Sequence, residues 1–159
     1  MKLYHGSYVD ITEIDFSMSF PNKDFGKGFY LSDNYEQAFQ IAKFKSEALD
    51  VQPVVNVYEF DEEVMTHPEL LSIKVFKEYS KDWADFVLRN RTSSYGESIH
   101  DFDIVYGPIA NDRVGLQIRK FIEHDITFER FIENLKYMKG ITFQYFFGTK
   151  KSLDYLHKI

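Results

Sequence analysis

The chain contains no cysteine, so a disulfide framework, a thiolate nucleophile and a thiolate metal site are all excluded. Positive charge is in short supply: 19 Lys and Arg stand against 25 Asp and Glu, a net charge of -6. That balance argues against a basic groove held on polyanions by general attraction, though not against a nucleic-acid target touched briefly. No apolar run approaches the roughly eighteen residues that a spanning helix needs. Met1-Lys2-Leu3-Tyr4-His5 also lacks the basic-then-apolar pattern of a secretory leader. The expectation is a soluble, cytoplasmic protein with no membrane partner. Internal repeats, low-complexity tracts and Gly/Ser-rich linkers are missing too, so residues 1–159 read as one domain. What abounds is aromatic: 16 Phe and 11 Tyr give ample volume for a core.

Periodicity sets out the elements. Lys2 to His5 reads as a first strand and Phe25 to Ser32 as a second, with Gly26 and Gly28 marking a bulge or a close approach by a ligand. Asp33 and Glu36 form a capping box for a helix to about Leu49, whose apolar positions are Tyr35, Ala38, Phe39 and Ala42. Strands are expected over Pro53 to Phe60, Leu70 to Phe76, Asp103 to Gly107 and Ile141 to Phe147. Helices are expected over residues 77–90, 112–123 and 126–139, with a last short one capped by Thr149 that holds Leu153 and Leu156. Strands and helices do not alternate regularly, so the fold class is α+β.

Chemistry concentrates in a few places. In Tyr4-His5-Gly6-Ser7 a histidine at a strand end is followed by a residue with bare backbone and then by a hydroxyl that both donates and accepts. Taken alone, a histidine near a strand end such as His5 is usually structural or merely exposed; the neighbours Gly6 and Ser7 are what point to a ligand. Phe25-Gly26-Lys27-Gly28-Phe29-Tyr30-Leu31-Ser32 offers a flat ring, Tyr30, beside two glycines. Asp24-Phe25-Gly26 matches a kinase tripeptide without the other kinase loops, and Gly26-Lys27-Gly28 is not a P-loop because no Ser or Thr follows the lysine. The remaining histidines (67, 100, 124 and 157) do not fall at metal-ligand spacings, so no metal is expected.

In this order, the two phrases resemble the nicotinamide-pocket motifs of the diphtheria-toxin-like ADP-ribosyltransferases. The second is similar to the Gly-Lys-Gly-aromatic-Tyr segment of the poly(ADP-ribose) polymerase branch. The resemblance implies a split β-sheet core with flanking helices, and NAD as co-substrate. His5 would contact the adenine-side ribose, and the Gly6 backbone would clasp the nicotinamide amide. Tyr30 would lie against the ring, with Ser7, Gly28 and Ser32 completing the NAD site. Stacking of that kind is worth roughly 0.5–1.5 kcal/mol beyond burial.

Superfamily members also carry a Glu on a late strand, where it holds the 2′-hydroxyl of the nicotinamide ribose. In Ile141-Thr142-Phe143-Gln144-Tyr145-Phe146-Phe147 alternation puts Thr142, Gln144 and Phe146 on one face, and Gln144 stands where that Glu would be. A glutamine can accept a hydrogen bond from the hydroxyl but brings no charge. Loss of one electrostatic stabiliser typically costs about 10²–10³ in rate.

The chain is further similar to a bacterial family filed as domain of unknown function 3990. The likeness lies in Tyr4 to Ser7, Asp24 to Ser32, Phe102 to Val114 and Gln144 to Leu156. It implies that glutamine is usual at the late-strand position, so that His5, Tyr30 and Gln144 are a working catalytic set. It also implies a toxin-type or phage-defence role, with a cognate antitoxin as partner. The chain departs from the polymerase branch at Ala38 and Ile41, where that branch has a hydroxyl residue and a second stacking Tyr; Phe39 or Phe44 is expected to rebuild this wall. Asp103 and Asp112 are candidates for the base that receives the acceptor's proton, Asp112 reading equally as part of a helix cap and Asp103 as a turn residue. The expected activity is mono-ADP-ribosylation of a macromolecular acceptor, protein rather than nucleic acid. The rivals are a pseudo-transferase that binds NAD or ADP-ribose without turnover, and a partner-binding domain of a toxin–antitoxin pair.

Overall fold

A computed structural model describes residues 1–94 and 97–159. Along the chain run β1 (Lys2–Ser7), β2 (Phe29–Leu31), α1 (Tyr35–Glu47), β3 (Val54–Phe60), β4 (Ile73–Val75) and α2 (Lys81–Arg91). There follow β5 (Ile104–Pro108), α3 (Asp112–Ile122), α4 (Phe128–Leu135), β6 (Phe143–Phe147), α5 (Lys150–Leu153) and β7 (Leu156–Lys158). The class is α+β, with two sheets. One is antiparallel, in the order β1-β3-β7; the other runs β2-β6-β5-β4, antiparallel except for the parallel β4–β5 pair. Among the described residues no helix is long and apolar enough to cross a membrane.

Alternation along the strands explains the layers. Neighbouring residues of β5 and β6 face opposite ways, so Ile104 and Phe147 enter one core and Val105 and Phe146 the other. The first core, between the sheets, also takes Leu3, Phe29, Leu31, Tyr58 and Phe60. The second receives Trp83, Phe86 and Val87 from α2, Val114 and Ile118 from α3, and Phe131 and Leu135 from α4. Trp83 is fully buried and donates its ring N–H to the Pro108 carbonyl (3.1 Å), which pins α2 to the end of β5.

Several boundaries differ from those expected. The second strand is shorter because Gly26 takes φ = 90° and turns the chain, so that regular pairing begins only at Phe29. The cap of α1 is Asn34, not Asp33: its side chain accepts from the Gln37 N–H at 3.2 Å. Helix α4 stops at Leu135, although Met138 still packs on the core. Thr149 does cap α5, but Leu156 has left the helix and opens β7, a strand that three residues were too few to announce.

The two sheets meet edge to edge at one place. Tyr4 and Ser32 exchange main-chain hydrogen bonds of 2.8 and 2.9 Å, an isolated bridge between β1 and β2. Beyond it the strands separate, and a cleft opens.

Candidate functional site

A cavity of about 390 Å³ fills that cleft. His5 and Gly6 line it from β1, Tyr30 and Ser32 from β2 and its end, and Gln144 from β6. Residues far apart in sequence are thus brought together by strand divergence.

His5 is held in one tautomer. Its Nδ1 lies 2.7 Å from the Tyr30 carbonyl oxygen, which can only accept, so Nδ1 carries the proton and Nε2 is left as an acceptor. The ring stacks on Phe29 at 4.4 Å between centroids. Burial, and then the nearby Lys45 charge, push its pKa down to about 4. The imidazole is therefore neutral at physiological pH.

Gly6 answers to two demands. Main-chain groups two residues apart on a strand point the same way, so the N–H and C=O of Gly6 share the direction of those of Tyr4, toward β2. By then β2 has moved away, and Lys45 Nζ donates to the Gly6 carbonyl at 2.7 Å. On its other side the helix α1 presses close through the small residues Ala38 and Ala42. A Cβ at Gly6 would stand 2.1 Å from the Ala38 oxygen and 2.7 Å from the Ala42 nitrogen. Both are backbone atoms and cannot swing aside. Gly6→Ala is thus expected to destabilise by about 1–3 kcal/mol, toward the upper end, as the helix is forced off the sheet; urea unfolding of the variant measures this.

Tyr30 is a fixed platform. Its hydroxyl donates to the Gly26 carbonyl (2.6 Å) and accepts from the Phe25 N–H (3.1 Å), which ties the Gly26 turn beneath it. Phe146 meets the ring edge-on at 5.3 Å. Burial first, and then the Asp24 charge, raise the phenol well above its ordinary pKa, so it stays a donor. Over the ring lies an ammonium: Lys23 Nζ is 4.9 Å from the centroid, a cation–π contact.

The carboxylate at this site is Asp24, which sequence reasoning missed as a functional residue. It is buried, and its Oδ1 takes the Arg91 guanidinium at 2.7 Å (Nε) and 2.6 Å (Nη2). Its Oδ2 accepts from the Ala110 N–H (3.3 Å) and from Gln144 Nε2 (3.4 Å). With its amide NH₂ engaged by Asp24, Gln144 presents its carbonyl oxygen as the group left to bind a ligand. The signal in the sequence was adjacency: Asp24 opens the very segment that contains Tyr30. Its partner Arg91 comes from α2, at no motif spacing.

A family model described as "Protein of unknown function (DUF3990)" matches residues 1–158. The chain belongs to this family. No curated protein matches it, and no solved structure does.

Other expected residues of this DUF3990 chain lie elsewhere. Ser7 is buried, its Oγ accepting from the Val9 N–H at 3.3 Å, and does not line the cavity. Gly28 does not line the cavity, and a Cβ there would stand 2.2 Å from the Phe146 ring, so packing requires the glycine. Asp103 is a structural tie: its oxygens accept from the Ser72 N–H (2.8 Å) and the Thr149 hydroxyl (2.5 Å), away from the cavity. Asp112 begins α3 behind the true cap, Asn111, and borders a second depression that shares Asn22 and Arg91 with the first. The pocket wall is not rebuilt by an aromatic residue. Ala38 and Ile41 themselves line it, whereas Phe39 stacks on Tyr35 and Phe44 is 79% exposed.

Proposed function

We propose that this DUF3990 chain is an NAD-dependent mono-ADP-ribosyltransferase. The observation that carries the reading is the convergence of His5, Tyr30 and Gln144 on one cavity where β1 and β2 part. The residues present suit the co-substrate. Tyr30 is a fixed aromatic face, and His5 Nε2 and the Gln144 carbonyl oxygen are acceptors for ribose hydroxyls. Gln37 also lines the cavity, and its Oε1 is buried with no hydrogen-bond partner among the described residues. A buried acceptor of that kind is normally satisfied, here by a polar ligand.

In the proposed reaction the N-glycosidic bond breaks, and nicotinamide leaves with the electron pair. A nucleophile on the acceptor then bonds to C1′ of the ribose and loses its proton. The protein's work is chiefly positional: Tyr30 fixes the ring, while His5 and Gln144 hold hydroxyls so that the opposite face of the ribose is open. The acceptor is a macromolecule, and the net charge of -6 favours protein over nucleic acid.

The test is nicotinamide release from NAD in the presence of cell lysate, with Tyr30→Leu beside the native protein. The expected result is turnover that falls by about tenfold or more in the variant, from the lost stacking and the loosened Gly26 turn. Saturable NAD binding without release would replace the transferase by a binding module. Neither binding nor release would overturn both.

A further inference from the structure

Two ammonium groups on the cavity wall form no salt bridge among the described residues: Lys23, just before Asp24, and Lys45, near the end of α1. Lys45 Nζ reaches the Gly6 carbonyl at 2.7 Å, and Lys23 Nζ rests on the Tyr30 ring at 4.9 Å. The third cation of the cavity, Arg91, is already matched by Asp24. Both lysines are partly buried, and the Lys45 ammonium is pushed down to about 8, by burial first and by the Lys23 charge second. Burial likewise lowers the pKa of Lys23, and the neighbouring Asp24 charge offsets part of that effect. Two partly desolvated like charges on the lining of one cavity are stabilised by an anion that joins them. Their presence in a chain of net charge -6 makes this cavity a local exception to the acidic whole.

We propose that Lys23 and Lys45 form a diphosphate site, which takes the linked phosphates of a dinucleotide-type ligand. Two adjacent phosphates give each ammonium its own anionic oxygens, which a single phosphate does less completely. A flat ring arriving on Tyr30 displaces the Lys23 ammonium from the ring face, and the diphosphate that follows the ring receives it. The identity of the ligand rests on the NAD reading; the charge it must carry does not.

The experiment is calorimetric titration of inorganic pyrophosphate, inorganic phosphate and ADP-ribose into the native protein, Lys23→Gln, Lys45→Gln and Lys45→Arg, with NAD turnover followed separately. Pyrophosphate and ADP-ribose are expected to bind saturably, with pyrophosphate at least about tenfold tighter than phosphate. Each Gln variant should weaken both by about tenfold, Lys45→Arg by far less. Lys23 lies outside any helix or strand, so Lys23→Gln decides the matter even where a change at Lys45 disturbs α1. Equal binding of phosphate and pyrophosphate, no binding, or full affinity in the Gln variants would overturn the site. Pyrophosphate binding that depends on the lysines, without nicotinamide release, would keep the diphosphate site and remove the transferase. Turnover whose KM for NAD ignores both lysines would do the reverse.

Discussion

On the proposed transferase reading, Asp24→Asn is expected to reduce nicotinamide release by about 10²–10³, the usual cost of losing one well-placed polar stabiliser. The reason is the direction of an amide. Arg91 is a donor only, so an asparagine at position 24 must turn its oxygen toward the guanidinium. Its NH₂ then faces the Ala110 N–H and the Gln144 side chain, where Asp24 Oδ2 now accepts from both. Gln144 must flip to offer its own oxygen to that NH₂, and its NH₂ turns into the cavity in place of the carbonyl. In the proposed reaction, a group that would accept from a ribose hydroxyl becomes one that donates toward a developing positive charge. By the same geometry, a carboxylate at 144 would stand against that of Asp24. Gln144→Glu is accordingly expected to give no gain in rate. Steady-state rates, normalised to folded protein by thermal melts, test both variants; an Asp24→Asn enzyme of native rate would remove Asp24 from the site.

The second large effect is on stability. His5 takes its proton near pH 4 in the folded protein, against 6.5 for an ordinary histidine. Between those values the unfolded chain binds the proton and the folded chain does not, so acid favours unfolding. Stability from this residue is intact above about pH 6.5 and is lost as the pH falls toward 4, by about 3 kcal/mol in all. That corresponds to more than a hundredfold in the folding equilibrium. Urea unfolding from pH 7 to 4 should show His5→Gln with a distinctly flatter decline than the native protein. Identical slopes would mean that the imidazole charges freely in place. His100, whose pKa burial also lowers, contributes in the same direction in both proteins and cancels in the comparison.

Local signals carried much of this into the sequence. Alternation in β6 put Gln144 on the face of Phe146 before any contact was known, and the structure has Phe146 against Tyr30 and Gln144 at the same cavity. The α+β class and most helices followed from apolar periodicity. What sequence could not supply was anything fixed by two distant partners. Asp24 matters through Arg91, Ala110 and Gln144, which lie on three other segments. Lys45 sits among ordinary helix residues and shows its role only when α1 is laid against β1. Phe39 and Phe44 have the right chemistry for a pocket wall, but the rotation of α1 turns Ala38 and Ile41 inward instead. Asp103 lies in the family-like stretch Phe102 to Val114, yet its hydrogen bonds make it a cross-tie between β5 and its neighbours.

The crowding of Gly6 by α1 bears on how this site is inherited. Were the proposed chemistry lost in a lineage, a glycine would still be needed there to seat the helix, and Asp24 would still be wanted by Arg91. Those two residues would persist as heirlooms of the fold and would say nothing about whether a descendant is active. The Gln144 side chain, by contrast, is held among the described residues by one long hydrogen bond, to Asp24. Once the chemistry is gone, little restrains it. Across relatives, then, position 144 is where decay would first be written, while the glycine and aspartate went on as if nothing had changed.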